Sequence, residues 1–119
     1  YNANPDSMSA ALELLGEVPG KRKVAILGDM LELGSQSGDF HAAVGAEAAE
    51  RADMLLATGS ECKQLVAAAR SAGMDDARHF EQADQLGEYA AAKLESGDVA
   101  LVKASRGMAL DRIVDRILQ

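Results

Sequence analysis

The sequence predicts an open, doubly wound α/β fold: a mostly parallel sheet with helices on both faces. Three observations carry that prediction. Short unbroken apolar runs recur along the chain, as in strands buried on both faces. Segments with apolar residues at helical spacing separate them. Glycine, proline and polar punctuation falls between the two kinds of segment.

In chain order, Asn4 suits a helix N-cap, Pro5 the first helical position and Asp6 the positive helix end. Met8, Leu12 and Leu15 then share one face until Val18-Pro19-Gly20 ends the helix. Val24-Ala25-Ile26-Leu27 reads as the first buried strand. A loop from Gly28 to Gly38 precedes a helix through Phe40, Val44 and Ala48. Met54-Leu55-Leu56-Ala57-Thr58 is the second strand, and a helix through Leu65, Val66 and Ala69 follows, stopped at Gly73. Arg78-His79-Phe80 fits a short edge strand, and Asp84 to Leu94 another helix. Val99-Ala100-Leu101-Val102 is the last buried strand. Met108, Ile113, Val114 and Ile117 line the closing helix. Strand–helix alternation throughout implies right-handed crossovers.

With 119 residues and 48% hydrophobic content, the chain 1–119 makes one domain with a packed core. Such a domain buries roughly two-thirds of its unfolded surface. Aromatics are 3%, so aliphatic residues must build that core. A formal net charge of −7 argues against nucleic acid as a partner, since phosphate backbones call for a basic face. No apolar run approaches the roughly 20 residues needed to span a bilayer, so no membrane partner is expected. The single cysteine, Cys62, forms no internal disulfide and fits a reducing cytoplasm; a half-exposed helix position is expected for it. Because Tyr1 leads straight into Asn2-Ala3-Asn4-Pro5, the chain reads as a piece cut from a longer one at a domain boundary.

Ligands of open α/β sheets bind beyond the carboxyl ends of the strands. Those ends are Gly28-Asp29-Met30, Thr58-Gly59-Ser60 and Lys103-Ala104-Ser105-Arg106, joined by the turn Tyr1 to Asn4. In the last loop, Ser105 can cap the next helix, and Arg106 and Gly107 can offer N–H groups at its positive end. Lys103 and Arg106 beside that end suit a phosphate or carboxylate; two solvated cations and a simple cap fit equally well. Asp29 can orient a ligand hydroxyl or amine, or cap the following turn. The stretch Gly28 to Gly34 is longer than a tight connection needs, which points to function, although Met30, Leu31 and Leu33 can equally plug the sheet edge. His41 and His79 have no partner visible in sequence, so His41 is expected at a surface or half-buried. Lys21-Arg22-Lys23, on the opposite edge, is expected to be a solvated turn. The chain has neither G-x-x-x-x-G-K-[ST] nor G-x-G-x-x-G, and no Cys/His metal spacing, so no metal is assigned. These residues cannot assemble a complete nucleotide-driven active site.

Three stretches carry a resemblance: Tyr1-Asn2-Ala3-Asn4-Pro5-Asp6-Ser7-Met8, Leu27-Gly28-Asp29-Met30-Leu31-Glu32-Leu33-Gly34, and Val102-Lys103-Ala104-Ser105-Arg106-Gly107-Met108-Ala109-Leu110. They resemble, in order, the C-terminal domain of the MurF ligases, UDP-N-acetylmuramoyl-tripeptide:D-alanyl-D-alanine ligases of bacterial peptidoglycan synthesis. That resemblance implies a Rossmann-like domain of a three-domain cytoplasmic enzyme. The N-terminal domain would hold UDP-N-acetylmuramoyl-tripeptide. The central one would carry the phosphate loop and magnesium ligands, and this one would close over ATP and D-Ala-D-Ala. It further implies Tyr1, Asn2 and Asn4 toward the nucleotide, and Asp29, Met30, Leu31 and Gly34 around the dipeptide. Lys103, Ser105 and Arg106 would face the reacting phosphate and carboxylate groups. Ala104 departs from the family's usual glycine. A receiver-like signalling domain is the rival reading, with Asp29, Thr58 and Lys103 at strand ends. It lacks the acidic pair that holds magnesium and a proline after Lys103. A non-catalytic nucleotide-binding module is a third reading, against which the missing glycine fingerprint counts.

Overall fold

A computed structural model of the chain describes residues 3–105 and 110–119. The elements are α1 (Pro5–Glu17), β1 (Arg22–Gly28), a 3₁₀ turn (Gly34–Gln36), α2 (Ser37–Arg51), β2 (Met54–Thr58), α3 (Cys62–Ser71), β3 (Ala77–Phe80), α4 (Ala83–Lys93), β4 (Asp98–Lys103) and α5 (Leu110–Leu118). The four strands form one sheet in the order β3-β2-β1-β4, and every pairing is parallel. The chain steps outward from β1 through β2 to β3, then returns by α4 to place β4 on the other side of β1. Reversing direction with one crossover hand moves the helices to the opposite face. Alternating side chains of β1 record this. Ala25 and Leu27 pack with Met8, Leu12, Val44, Ala48 and Leu65 of α1, α2 and α3. Val24 and Ile26 pack with Leu86, Ala90 and Ile113 of α4 and α5. The doubly wound architecture is therefore as expected.

Local chemistry explains the ends of α1. Asn4 accepts from the Ser7 N–H at 2.9 Å, and the Asn4 N–H donates to the Ser7 hydroxyl at 3.1 Å, a reciprocal cap followed by Pro5 at the first helical position. At the other end the Lys23 ammonium reaches the carbonyls of Leu15 and Gly16 at 2.9 and 3.1 Å. A cation there satisfies carbonyls that the helix leaves unpaired and complements its negative end.

Two expectations are corrected. First, the basic cluster is not merely a solvated turn. Besides Lys23, Arg22 pairs with Asp98 at 2.7 Å and donates to the Lys93 carbonyl at 2.8 Å, tying β1 to β4 and to the end of α4. Only Lys21, 3.6 Å from Glu95, behaves as a surface charge. Second, β4 is not fully buried. It is an edge strand, with Ala100 exposed and its neighbours half-buried. An apolar run fixes a strand but not its place in the sheet.

The Arg22 guanidinium, and then the Glu95 N–H, hold the Asp98 carboxyl below the usual carboxylate range. Its contribution to stability is thus present above the unfolded value, near pH 4, and lost as pH falls through the lower folded value. Asp98→Asn should be less stable than the parent at neutral pH, and the gap should close in acid. Urea unfolding of both chains at neutral and acidic pH checks this; a gap that is constant with pH excludes the ion pair as its source.

Candidate functional site

The site lies where β1 and β4 diverge. Leu27 and Lys103 are register partners in adjacent parallel strands, so the residues after them leave the sheet side by side. β1 continues to α2 on one face, and β4 continues to α5 on the other. This is the topological switch point at which open α/β sheets form a crevice. The structure therefore brings Asp29 and Lys103 to one edge, as expected.

The two loops are bonded together. The Ser105 N–H donates to the Asp29 carbonyl at 3.0 Å, and the Ser105 hydroxyl accepts from the Leu31 N–H at 2.9 Å. That hydroxyl also lies 3.5 Å from the Ala3 carbonyl, so one side chain, 2% exposed, joins three segments. The expectation of Ser105 as a cap for the closing helix falls on N–H groups outside the described residues. The described part of α5 begins at Leu110, and Arg106 and Gly107, whose N–H groups were expected at its start, lie outside the described residues. Tyr1 and Asn2 also lie outside them. Asn4 is described, with its side-chain oxygen committed to the α1 cap.

Asp29 is 5% exposed. Its carboxylate turns away from the loop that follows it and accepts from the Cys62 N–H at 2.9 Å, at the first residue of α3. A carboxylate there meets the positive end of the helix dipole. Gly59 makes the approach feasible: its φ is +110°, and a methyl on it would overlap the Asp29 carboxylate. Asp29 thus braces α3 across the sheet end. A carboxylate so enclosed is a poor phosphoacceptor, which counts against the receiver-like reading.

Met30 is buried with the α1–α3 core, so its side chain plugs the sheet end. Leu31 is 38% exposed. Glu32 follows with φ +63°, an uncommon conformation for a residue with a side chain and one that gathers at functional loops. Gly34, at φ +66°, has open space where a side chain would stand. The surface this loop offers is therefore Leu31 to Gly34. Lys103, half-buried, is the last residue of β4, in register with Leu27 of β1.

His41 is completely buried, which corrects the expectation of a surface or half-buried residue. Its Nε2 accepts from the Met30 N–H at 3.0 Å, and its Nδ1 lies 2.8 Å from the Ser37 carbonyl. The first contact requires a lone pair on Nε2, so the proton belongs on Nδ1 and is donated to Ser37. Cys62 is buried too, against expectation. Burial, reinforced by the Asp29 charge, pushes its thiol well above the ordinary range. The missed signal was phase. His41, Val44, Gly45 and Ala48 form one buried stripe of α2, and Cys62, Leu65, Val66 and Ala69 the matching stripe of α3.

Asp29, His41 and Cys62 bring a carboxylate oxygen, an imidazole nitrogen and a sulfur within 4.8 Å of one another. Metal ligation needs a thiolate and free lone pairs. Here the Asp29 oxygen takes the Cys62 N–H, His41 Nε2 takes the Met30 N–H, and the thiol is held protonated. The trio is a buried polar brace. His79 is likewise structural, its Nε2 2.7 Å from the Gly59 carbonyl.

Comparison with known proteins shows the family to which the fold belongs. The family model described as "Mur ligase, glutamate ligase domain" matches residues 1–106. A Rickettsia prowazekii protein named UDP-N-acetylmuramoyl-tripeptide–D-alanyl-D-alanine ligase is 36% identical, over 97% of this chain and 25% of its own length. The Escherichia coli protein of the same name is 41% identical, over 100% of this chain and 25% of its own. Among solved structures, MurF from Acinetobacter baumannii superposes with a TM-score of 0.86 at 25% identity, over 99% of this chain and 26% of that one. MurF ligase from Thermotoga maritima in complex with ADP gives 0.80 at 26% identity, over 98% and 26%. This chain spans about a quarter of the length of these relatives. A family match that takes in both bonded loops of the switch point, from Asp29 to Ser105, leaves one assignment: the chain belongs to the Mur ligase family, as its glutamate ligase domain.

Proposed function

We propose that this chain is the C-terminal domain of a cytoplasmic bacterial ligase that joins D-Ala-D-Ala to UDP-N-acetylmuramoyl-tripeptide at the expense of ATP. In that enzyme the tripeptide's terminal carboxylate takes the γ-phosphoryl group, giving an acyl phosphate and ADP. The dipeptide amine then attacks the acyl carbon, loses a proton and expels phosphate. The observation that carries the reading is the bonded pair of loops at the switch point, which sets a strained, partly exposed turn beside a lysine.

Each part has a role in this proposal. Leu31 and the open backbone at Gly34 contact the dipeptide, while Asp29 and Met30 hold that loop from beneath. Lys103, with Arg106, offsets the charge of the reacting phosphate and carboxylate groups, and Ser105 fixes their loop against the dipeptide loop. Tyr1, Asn2 and Asn4 lie toward the nucleotide. The domain's partners are its own N-terminal and central domains. No helix among the described residues is long and apolar enough to cross a membrane. Magnesium prefers oxygen ligands and keeps several waters. The one close ligand cluster among the described residues, Asp29 with an imidazole and a thiol, does not fit it. The metal belongs, on this reading, with the phosphate loop of the central domain.

The test uses phosphate release. The isolated chain should show no ATP hydrolysis, because it has no phosphate loop to position the γ-phosphoryl group. The full-length enzyme carrying this domain should release phosphate only when UDP-N-acetylmuramoyl-tripeptide and D-Ala-D-Ala are both present. Turnover with D-glutamate in place of the dipeptide would move the assignment to another amino substrate within the family.

A further inference from the structure

We propose that His41 is a positioning residue for the amino substrate, acting through the Met30 amide without touching the substrate itself. The inference rests on the reading that the loop from Asp29 to Gly34 receives D-Ala-D-Ala. Its basis is how that loop is held. Two consecutive N–H groups are anchored from opposite sides: Met30 by His41 of α2 at 3.0 Å, and Leu31 by Ser105 after β4 at 2.9 Å. The next residue, Glu32, is turned into the left-handed region at φ +63°. Fixing two successive amides leaves little freedom in where the chain makes that turn, so the exposed surface from Leu31 to Gly34 inherits its position from these two bonds.

The histidine is an unusual choice for the work of packing alone. It occupies a fully buried position in the stripe otherwise formed by Val44, Gly45 and Ala48. An apolar residue would fill that place without the cost of burying two polar nitrogens. Both nitrogens are used: Nδ1 donates to the Ser37 carbonyl one turn earlier, which locks the ring and aims Nε2 at Met30. Ser37 in turn donates through its hydroxyl to Glu61 at 2.6 Å, and Cys62 beside it holds Asp29. The first turns of α2 and α3 are thereby coupled to both ends of the Asp29–Met30 peptide. Ordering a substrate loop in advance lowers the cost of binding, and that gain appears in KM when chemistry is unchanged.

The experiment compares three variants of the full-length ligase. His41→Leu removes both bonds. His41→Gln keeps an acceptor near the position of Nε2, whereas His41→Asn keeps a polar group only near Nδ1. We expect His41→Leu and His41→Asn to raise KM for D-Ala-D-Ala about tenfold, the effect of losing one buried hydrogen bond, with kcat and KM for ATP within about threefold of the parent. His41→Gln should restore most of the dipeptide KM. Amide hydrogen exchange at Met30 should quicken in the Leu and Asn variants and stay slow in the Gln variant. If the Gln and Asn variants share one dipeptide KM, or if none of the three yields folded enzyme, His41 serves the core alone and the proposal is overturned. If Met30 exchange follows the expected pattern while the parent enzyme does not use D-Ala-D-Ala, the bracing stands and the substrate reading is what fails.

Discussion

Gly45→Ala should destabilise the chain by roughly 3 kcal/mol, the upper range for forcing atoms into a packed interior. Glycine to alanine within a helix ordinarily gains about 0.5–1 kcal/mol, because alanine restricts the unfolded chain and favours the helix. Here the sign should reverse. Gly45 lies on the buried stripe of α2, where a methyl would overlap the backbone carbonyl of Leu65 on α3. A backbone oxygen inside a helix cannot swing aside as a side chain can, so the two helices must part. Their N-terminal halves carry His41 and Cys62, and parting them also loosens the grip on Met30 and Asp29. Gly87 of α4 is the control. A methyl there would meet Arg116 Cβ at 3.4 Å and Ile113 Cα at 3.5 Å, ordinary contact distances, so Gly87→Ala should be neutral or mildly stabilising. Urea unfolding followed by circular dichroism on both variants decides the matter. A Gly45→Ala chain as stable as the parent would mean that α2 and α3 are not packed this closely.

What the sequence made legible was local. Apolar runs and helical spacing placed each strand and helix within a few residues, and Asn4-Pro5-Asp6 marked the start of α1 because a cap needs only its neighbours. The candidate edge was legible too, since topology alone gathers strand ends. The pairings that build the site were not. Leu31 meets Ser105 across 74 positions, Asp29 meets Cys62 across 33, and Arg22 meets Asp98 across 76. Nothing in a short window signals such bonds. His41 and Cys62 are an intermediate case. Their phase on α2 and α3 marked them as buried, but their polarity argued for the surface, and the partners that reconcile the two lie on other elements. The apolar run of β4 was legible as a strand, while its place at the sheet edge depends on pairing partners that one strand's composition does not record.

Lys103→Ala in the full-length ligase should lower kcat by about 10²-fold, the usual scale for losing one preorganised electrostatic contact. Lys103 ends β4 directly opposite Leu27, half-buried beside the crevice in which the acyl phosphate would form. On the proposed reading, negative charge would be redistributed there as the phosphoryl group leaves ATP and again as phosphate departs from the acyl carbon. A fixed ammonium in a partly desolvated cleft interacts with that charge far more strongly than one in water. Binding of the neutral parts of the substrates is largely independent of this residue, so KM for D-Ala-D-Ala should change less than kcat. Ser105→Ala should behave differently. It removes the acceptor of the Leu31 N–H, so it should cost about 1–3 kcal/mol of stability and raise the dipeptide KM rather than remove charge from the chemical step. Exposed Lys93→Ala, at the end of α4, is the charge control and should leave kcat unchanged. Steady-state kinetics and thermal unfolding of the three variants separate these roles. If Lys103→Ala keeps a normal kcat, the charge that serves the reaction lies elsewhere, and the end of β4 is only the frame that holds the dipeptide loop.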